Sequence, residues 1–319
     1  MRQIINKVYI GRCFKIPSLK QITEGFYKSR HLYLIFFPIV AYYIIFKYIP
    51  IYGLLMAFEN YTPFKGVFGS EWVGFKHIIN FFNSVFFWNL IRNTIVINIY
   101  SLSVGFPAPI ILALLINEVR RNKIKTTVQT IVYLPYFVST VVVCGIIVAF
   151  LSPSTGIINI LLKEIGIQPI HFLAESGWFS TIYVFSDMWQ TAGWYSIIYL
   201  AALTAIDPLL YEAGTVDGAS AWQKLCYITI PGIIPTIIIM FILRIGSIFT
   251  VGYEKIILLY NPLTYATGDV ISSYVYRRGI LKADFSYATA MDLFNNTINF
   301  IAIITFNRLS RKISETSLW

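Results

Sequence analysis

The chain has 319 residues, of which 57% are hydrophobic and only 13% are charged. A soluble domain usually carries about 25% charged residues, so this composition favours a chain whose main solvent is lipid. The formal net charge is +10, but the basic residues lie mainly in the N-terminal arm, one short loop and the C-terminus, which argues against a nucleic-acid binder.

The N-terminal arm, residues 1–31, is polar and basic, and the apolar run after it has no small-x-small cleavage site. We interpret that run as a retained membrane anchor rather than a signal peptide. The arm is either a surface helix or disordered, and a basic anchor to anionic headgroups is its simplest role. Cys13, Cys144 and Cys226 lack a CxxC or His-rich cluster, so we expect free thiols without a disulfide or a metal site.

Six stretches are long and apolar enough to cross a bilayer core, which needs roughly 20 residues of helix. They cover about residues 32–58, 93–116, 130–151, 179–205, 231–251 and 288–306. The pattern predicts an all-α polytopic membrane protein. Its six transmembrane helices form one domain, residues 32–308, and a C-terminal tail, residues 309–319, follows.

The Lys and Arg residues between the spans predict the orientation. With the N-terminus inside, the inner segments hold about twice as many of these residues as the outer segments. Both termini are therefore predicted to be cytoplasmic. The outer loops, such as residues 59–86, are too short to form a large external domain.

The segment between the fourth and fifth spans, residues 207–231, carries ordered helix signals on the predicted cytoplasmic side. Asp207 is a good N-cap, and Pro208 fits the first helical position. Gly218 supplies a stop or a hinge, and Ser220 can cap a second short helix. On these signals alone, the segment is either an ordinary loop or two short helices joined at a glycine.

The same segment resembles the EAA loop of bacterial ABC importer permeases. That pattern is Glu-Ala-Ala, three residues, Gly, nine residues and Ile-x-Leu-Pro. This chain has, at the same spacing, Glu212-Ala213-Gly214, Gly218 and Ile228-Thr229-Ile230-Pro231. Gly214 in place of Ala and Ile230 in place of Leu are small or isosteric departures.

Other short motifs extend the resemblance from about residue 30 to the end of the chain. They resemble the permeases of oligosaccharide and complex-sugar importers, and they are Lys47-Tyr48-Ile49-Pro50 with Tyr52-Gly53, Phe64-Lys65-Gly66, Trp72-Val73-Gly74-Phe75 and Arg92-Asn93-Thr94. The resemblance implies a type I ABC importer permease fold in a bacterial cell membrane, with a carbohydrate, most simply an oligosaccharide, as the substrate.

The resemblance also implies partners and contact residues. The partners are a second permease subunit, often a related chain, two cytoplasmic ATPase subunits, an extracytoplasmic solute-binding protein and membrane lipid, with no nucleic acid. Glu212 would be the polar anchor on the ATPase, and the other coupling residues would be Ala213, Gly214, Asp217, Gly218 and Ala219. Trp222 and Leu225 would either contact the ATPase or pack under the loop.

No residue pattern in the chain is typical of a catalytic or cofactor site. There is no G-x-x-x-x-G-K-[ST] sequence, and no His or carboxylate pairs occur at metal spacing. We therefore expect a non-catalytic subunit that holds neither cofactor nor metal. ATP and Mg would be bound by the partner ATPase subunits.

Polar side chains inside spans are costly, so each one is a functional hypothesis. Asp187 and Arg244 lie in the fourth and fifth spans, and Asp292 lies in the sixth. The predicted substrate path consists of side chains that can bond sugar hydroxyls or stack on sugar rings: Asp187, Gln190, Asn295, Asn296, Trp189, Tyr195 and Arg244. The alternative role is structural, as interhelical hydrogen bonds, interfacial aromatic residues or an ion pair made for packing.

Three other functions compete with this interpretation. An ion- or proton-coupled secondary transporter would use the intramembrane Asp residues as a relay, but the EAA-like loop would have no role. Vesicle uptake with an ionophore or after ATP depletion would separate the two. A membrane-embedded enzyme would need a carboxylate pair or a partnered His, and His31, His77 and His171 have no catalytic-looking neighbour. An exporter would usually lack the EAA loop.

Overall fold

The structure is a computed structural model that describes residues 30–314. Most of the predicted N-terminal arm, Cys13 and the last residues of the predicted tail lie outside the described part. The chain divides into two compact units between Leu55 and Met56. Within the described residues the strands are limited to Glu59–Asn60 and Glu71–Trp72, and helices dominate, which confirms the predicted all-α class.

The first unit is one long helical segment. An α-helix, Arg30–Tyr43, continues as a π-helical turn, Ile44–Tyr48, and passes into a 3-10 helix, Ile49–Phe58, whose last residues belong to the second unit. Residues 31–58 are long and apolar enough to span a membrane. Most of their apolar side chains are exposed in this chain, as suits a segment whose solvent is lipid.

The segment after the first span is a small hairpin with two short helices. Glu59–Asn60 pairs antiparallel with Glu71–Trp72, and Gly66–Gly69 forms one helical turn between them. Gly74 adopts a φ of +60° just before the helix Lys76–Phe82. The left-handed turn there favours glycine because a side chain would crowd the backbone.

The second predicted span is a continuous helical rod with a widened turn in its middle. The helix Phe87–Tyr100 leads into a π-helical turn, Ser101–Gly105, and the helix Pro107–Asn117 follows. Pro107 and Pro109 lie in the first turn of the helix Pro107–Asn117, where a missing N–H costs little. These segments, Phe87–Asn117, are together named the second-span helix below, and its π-helical turn carries Ser101.

The third predicted span, residues 130–151, was expected as one helix, and that expectation is wrong. A helix, Asn122–Tyr133, ends in a 3-10 turn, Leu134–Phe137, and the next helix, Thr140–Phe150, leaves at 98°. Two local signals cause the break. Pro135 cannot continue the helical hydrogen bonds, and the Ser139 hydroxyl caps the new helix by accepting the Val142 N–H at 3.4 Å.

The fourth predicted span is the helix Ser176–Thr204, which is named the long helix below. A short helix, Ile157–Glu164, precedes it. The long helix passes very close to the broken third segment, since a Cβ on Gly193 would lie 1.8 Å from the Val132 carbonyl oxygen. Such contact between backbones is possible only where the side chain is a hydrogen atom. Gly193 therefore sets the distance between these two helices.

The fifth predicted span follows two short helices, Pro208–Val216 and Ala221–Lys224. After a π-helical turn, Leu225–Thr229, it runs as the fifth-span helix, Ile230–Ile245. This helix ends before the predicted boundary at residue 251. Gly246 is a poor helix former, and the residues after it form successive turns instead.

The segment from the fifth-span helix to residue 314 contains four helices and a π-helical turn. They are Tyr253–Leu259, Tyr265–Gly268, Ile271–Tyr276, the π-helical turn Arg277–Leu281, and the last helix, Phe285–Ser314. The helix Tyr265–Gly268 and the residue after it are tied to the second-span helix, because Asn93 Nδ2 donates to the Ala266 and Asp269 carbonyl oxygens at 3.1 and 3.0 Å. Arg277 also pairs with the Asp269 carboxylate at 2.5 Å.

The number of membrane spans is only partly established by helix length and composition. Among the described residues, three helical segments are long and apolar enough to span a membrane, and five are if each of two bent pairs counts as one span. The last helix has 30 residues but falls short on apolar content, because Asn and Asp residues interrupt it. The predicted count of six therefore stays a prediction, as do the predicted domain limits at residues 31 and 308.

Candidate functional site

The 207–231 loop has the two-helix form that its sequence predicts. Asp207 caps the first helix by accepting the Leu209 N–H at 2.9 Å, and Pro208 occupies the first turn. Gly218 adopts a φ of +73° at the junction. Ser220 then caps the second helix in a capping box, in which Ser220 accepts the Gln223 N–H and Gln223 accepts the Ser220 N–H. Each helix end is thus stabilised locally.

Side-chain contacts brace the two short helices against each other. Lys224 Nζ donates to Thr215 Oγ1 at 2.7 Å, and the hydroxyls of Tyr211 and Thr229 lie 3.0 Å apart. A Cβ on Gly214 would lie 3.3 Å from Ile228 Cδ1, so the π-helical turn Leu225–Thr229 packs directly on this glycine. The loop is therefore a compact bracket that can transmit force as a rigid element.

The outer surface of this bracket is unusually apolar. Trp222 is 71% exposed and Val216 is 88% exposed. The exposed apolar set also includes Leu209, Leu210 and Tyr227. Several large exposed apolar side chains on one short ordered element favour a protein-binding role.

The predicted coupling residues divide between the surface and the inside of the bracket. Glu212, Ala213, Asp217 and Gly218 are exposed, whereas Gly214 and Ala219 are half-buried. Within residues 30–314, neither Glu212 nor Asp217 forms a salt bridge. The exposed residues are therefore open to a partner, and the two half-buried residues serve the close packing of the loop itself.

A second feature is a set of adjoining cavities between the second-span helix, the long helix and the fifth-span helix. Two cavities of about 270 and 220 Å3 share the lining residues Ser101, Asp187, Thr191, Tyr195 and Arg244. A third, of about 430 Å3, also reaches Asp187 and extends to the break in the third segment. Three of the predicted path residues, Asp187, Tyr195 and Arg244, therefore line one connected region.

Asp187 is held by an ion pair. Its Oδ1 accepts from Lys255 Nζ at 3.1 Å, and the Lys255 side chain is only 6% exposed. The ammonium also lies 6.0 Å from the centre of the buried Tyr183 ring. Because Lys255 is so deeply buried, its charge needs this carboxylate.

Arg244 is held differently. Its Nη2 donates to Ser101 Oγ at 2.7 Å, and no carboxylate of residues 30–314 lies within salt-bridge distance of it. The guanidinium has five N–H donors, and that hydroxyl occupies one of them. Arg244 is therefore an exposed cation at the cavity wall that forms no ion pair with the described residues.

The other predicted path residues lie elsewhere. Gln190 is buried, and its Nε2 donates at 3.0 Å to the Val138 carbonyl oxygen at the break in the third segment. Trp189 is 53% exposed and does not line the cavities described above. Asn295 is buried in the last helix, and Asn296 bonds Asp292 at 3.0 Å on the exposed face of that helix. Gln190 thus has a bonding role within the fold.

Lys255 and Ser101, which bond Asp187 and Arg244, are absent from the predicted set. Lys255 is predicted to lie in an outer segment, and Ser101 is an ordinary hydroxyl in an apolar run. The one sequence signal for a buried Lys255 is its position next to an apolar stretch. Among the described residues, no group of three or more His, Cys, Asp or Glu side chains could hold a metal ion.

Comparison with known proteins identifies the class of molecule to which these features belong. The family described as "Binding-protein-dependent transport system inner membrane component" matches residues 105–315. The chain belongs to this family, and it is therefore a membrane-embedded subunit of a transport system. The match includes the whole of the 207–231 loop, so the predicted relation to ABC importer permeases is confirmed.

Similar proteins of known name or structure narrow the class to permeases. The chain is 39% identical over 306 residues to the polygalacturonan/rhamnogalacturonan transport system permease protein YteP of Bacillus subtilis (strain 168), covering 96% of this chain and 95% of that protein. It is 40% identical over 292 residues to Protein LplB of the same organism, covering 92% of each. A chain of a bacterial ABC transporter involved in the import of the acidic polysaccharide alginate shares its fold. The TM-score is 0.85, the identity is 44%, and the match covers 92% of this chain and 99% of that one.

Proposed function

We propose that the chain is the permease subunit of an ABC importer that moves an oligosaccharide into a bacterial cell. The main support for this proposal is the 207–231 loop. Its two short helices are held together by side-chain contacts, its surface is exposed, and the chain belongs to this transport family. Relatives of similar length are named for carbohydrate transport, and a solved relative is described in complex with an alginate pentasaccharide-bound periplasmic protein. A solute-binding protein would deliver the sugar to this chain in the same way.

The 207–231 loop is proposed to dock on a cytoplasmic ATPase subunit. Trp222 and Val216 would enter an apolar groove, and Glu212 would meet a cation at its edge. The loop is rigid, so closure of an ATPase dimer would move the fifth-span helix with it rather than deform the connection. The complete transporter would contain a second permease subunit and two ATPase subunits, which bind ATP and Mg, and both termini of this chain would be cytoplasmic.

The cavity lined by Asp187, Tyr195 and Arg244 is proposed as this subunit's part of the translocation path. Tyr195 offers an aromatic face to a sugar ring, and the neighbouring hydroxyl of Thr191 can bond sugar hydroxyls. Gln190, Asn295, Asn296 and Trp189 remain proposed path residues that could reach a substrate in another conformation. Alternating access requires such a rearrangement of packed helices.

The test of coupling uses the purified complex of this chain with its neighbouring permease, ATPase and binding protein. Uptake and ATP hydrolysis are measured in nanodiscs and vesicles with a panel of oligosaccharides. Glu212→Lys should abolish sugar-stimulated ATP hydrolysis and uptake. Glu164→Lys is the matched control, because Glu164 is an exposed carboxylate at the end of a helix outside the loop. Uptake driven by an ion gradient without ATP would reject the importer function, and full activity of Glu212→Lys would reject the coupling role.

A further inference from the structure

A dense basic surface follows the second-span helix. Its cations lie within six residues and are Arg120, Arg121, Lys123 and Lys125. The stretch also holds one carboxylate, Glu118, so four positive charges and one negative charge leave a net charge of +3. Among residues 30–314, none of the four cations forms a salt bridge. The excess positive charge is therefore not paired within this part of the chain.

The helix Asn122–Tyr133 presents this surface outward. On one side, Val128 and Val132 pack against the buried cluster that contains Tyr199 and Leu203 of the long helix. The other side is an open groove of about 600 Å3, and its lining residues are Asn122, Lys123, Thr126, Thr127, Thr130 and Ile131. Residues three and four positions apart share one face of a helix. The groove is therefore a strip along the helix, with a cation at its beginning and an apolar side chain at its end.

An apolar surface continues from the end of the groove. Ile131, Leu134 and Phe137 are 64%, 63% and 70% exposed. The second-span helix, which ends just before the basic stretch, is long and apolar enough to cross a membrane. The cations therefore lie where a membrane span ends, at the level of lipid headgroups. The order from cations to apolar side chains matches the order from phosphate to acyl chain in a phospholipid.

The combination of charge and apolar surface favours a lipid over other anions. A soluble anion would match the cations but would leave the apolar side chains beside them uncovered. An acidic protein surface would have to cover Leu134 and Phe137 as well, in a region that the adjacent span places at the membrane. Basic pockets at the ends of membrane helices bind anionic headgroups through the same charge complementarity.

We propose that residues 120–131 form a binding site for an anionic phospholipid. The lipid phosphate lies at Arg120, Arg121 and Lys123, and an acyl chain passes along Ile131. The proposed topology places this site in the cytoplasmic leaflet. The inference goes beyond the proposed function, because it concerns the lipid around the permease and holds whichever solute is carried.

The test measures which lipid contacts the groove in the full transporter complex. Cys13, Cys144 and Cys226 are replaced by alanine, and a fluorescent label is attached at Ile131→Cys. The complex is reconstituted in vesicles of equal amounts of phosphatidylglycerol and phosphatidylcholine, in which one lipid or the other carries bromine on its acyl chains. Bromine quenches the label on contact. Quenching should favour phosphatidylglycerol by about 10-fold, as expected for several basic residues near one anionic headgroup.

A second label site separates this groove from the lipid-facing surface in general. Ile111→Cys is the matched site, because Ile111 is an exposed apolar residue of the second-span helix outside the groove. A label there should be quenched equally by the two lipids.

Charge variants test the cations themselves. Arg120→Gln, Arg121→Gln and Lys123→Gln in combination should reduce the preference at residue 131 to about twofold or less. Arg120→Lys with Arg121→Lys should keep the preference, because the charges remain. Lys163→Gln is the matched control, since it removes an exposed cation from the helix Ile157–Glu164, and it should have no effect.

Several results would overturn the proposal. Equal quenching by the two lipids at residue 131 is one, and an equally strong preference at residue 111 is another. Absence of quenching by either lipid at residue 131 would mean that another subunit covers the groove. A preference that survives the three glutamine substitutions would exclude the cations as its cause. Loss of the ATPase subunits from that variant, with an unchanged lipid preference, would assign the surface to a protein partner. None of these results depends on sugar import, so a failure of the proposed function would be seen separately.

Discussion

Replacement of Gly193 by alanine tests the packing that holds the long helix against the broken third segment. The new Cβ would lie 1.8 Å from the Val132 carbonyl oxygen and 2.5 Å from its carbon. Real Cβ contacts at such distances do not occur, so the two helices must separate by more than about 1 Å. The obstacle is backbone, which cannot rotate away as a side chain could. The cost should therefore be about 3 kcal/mol, the upper end for an overpacked interior.

The expected result is a lower melting temperature of the purified chain in detergent, by roughly 4–8 °C. Trp194 follows the substituted residue and stacks on Tyr136 at 4.6 Å between ring centres, so its fluorescence should report the separation. The matched control is Gly145→Ala, because Gly145 also lies within a helix and has no atom within 4 Å of the position of a new Cβ. That change should be neutral or stabilising by about 1 kcal/mol. Equal melting of Gly193→Ala and the unmodified chain would refute this account of the packing.

Three further substitutions test single contacts. Gln190→Leu should lower the free energy of unfolding by about 1–3 kcal/mol, because it leaves the Val138 carbonyl oxygen unbonded, and an unchanged denaturation midpoint would contradict this. Asp187→Asn should cost about 3 kcal/mol by leaving buried Lys255 unpaired, and Asp187→Asn combined with Lys255→Met should recover most of the loss in a double-mutant cycle. Ser220→Ala should cost about 1 kcal/mol of local stability, seen as faster amide exchange in the capped turn, and equal exchange rates would argue against the cap.

The 207–231 loop shows how far local sequence signals reach. Asp207, Pro208 and Gly218 act on backbone groups within a few residues of themselves, so their effects are readable along the chain. The predicted N-cap, the proline in the first turn and the glycine junction are all present. The contact between Lys224 and Thr215 was not predicted, since it depends on how the two short helices meet.

The third segment shows where apolar composition misleads. Residues 130–151 are mostly apolar. The prediction of one helix followed that overall composition rather than two short signals, Pro135 and Ser139. The proline removes a helical hydrogen bond and the serine begins a new helix, so the chain turns sharply between them. The carbonyl oxygen of Val138, at this break, accepts a hydrogen bond from Gln190, which gives this predicted path residue a bonding role in the fold.

The sequence by itself determined that the chain is helical and membrane-embedded, and that one loop has the form of an ABC permease coupling element. Those features arise from composition, apolar run length and short-range capping, which act within one segment. Only the tertiary structure decided how the polar residues of the spans are used. Asp187 and Lys255 are 68 positions apart, and Ser101 and Arg244 are 143 apart. Whether an intramembrane charge is paired or free depends on which helices pack together, and no local pattern encodes that contact.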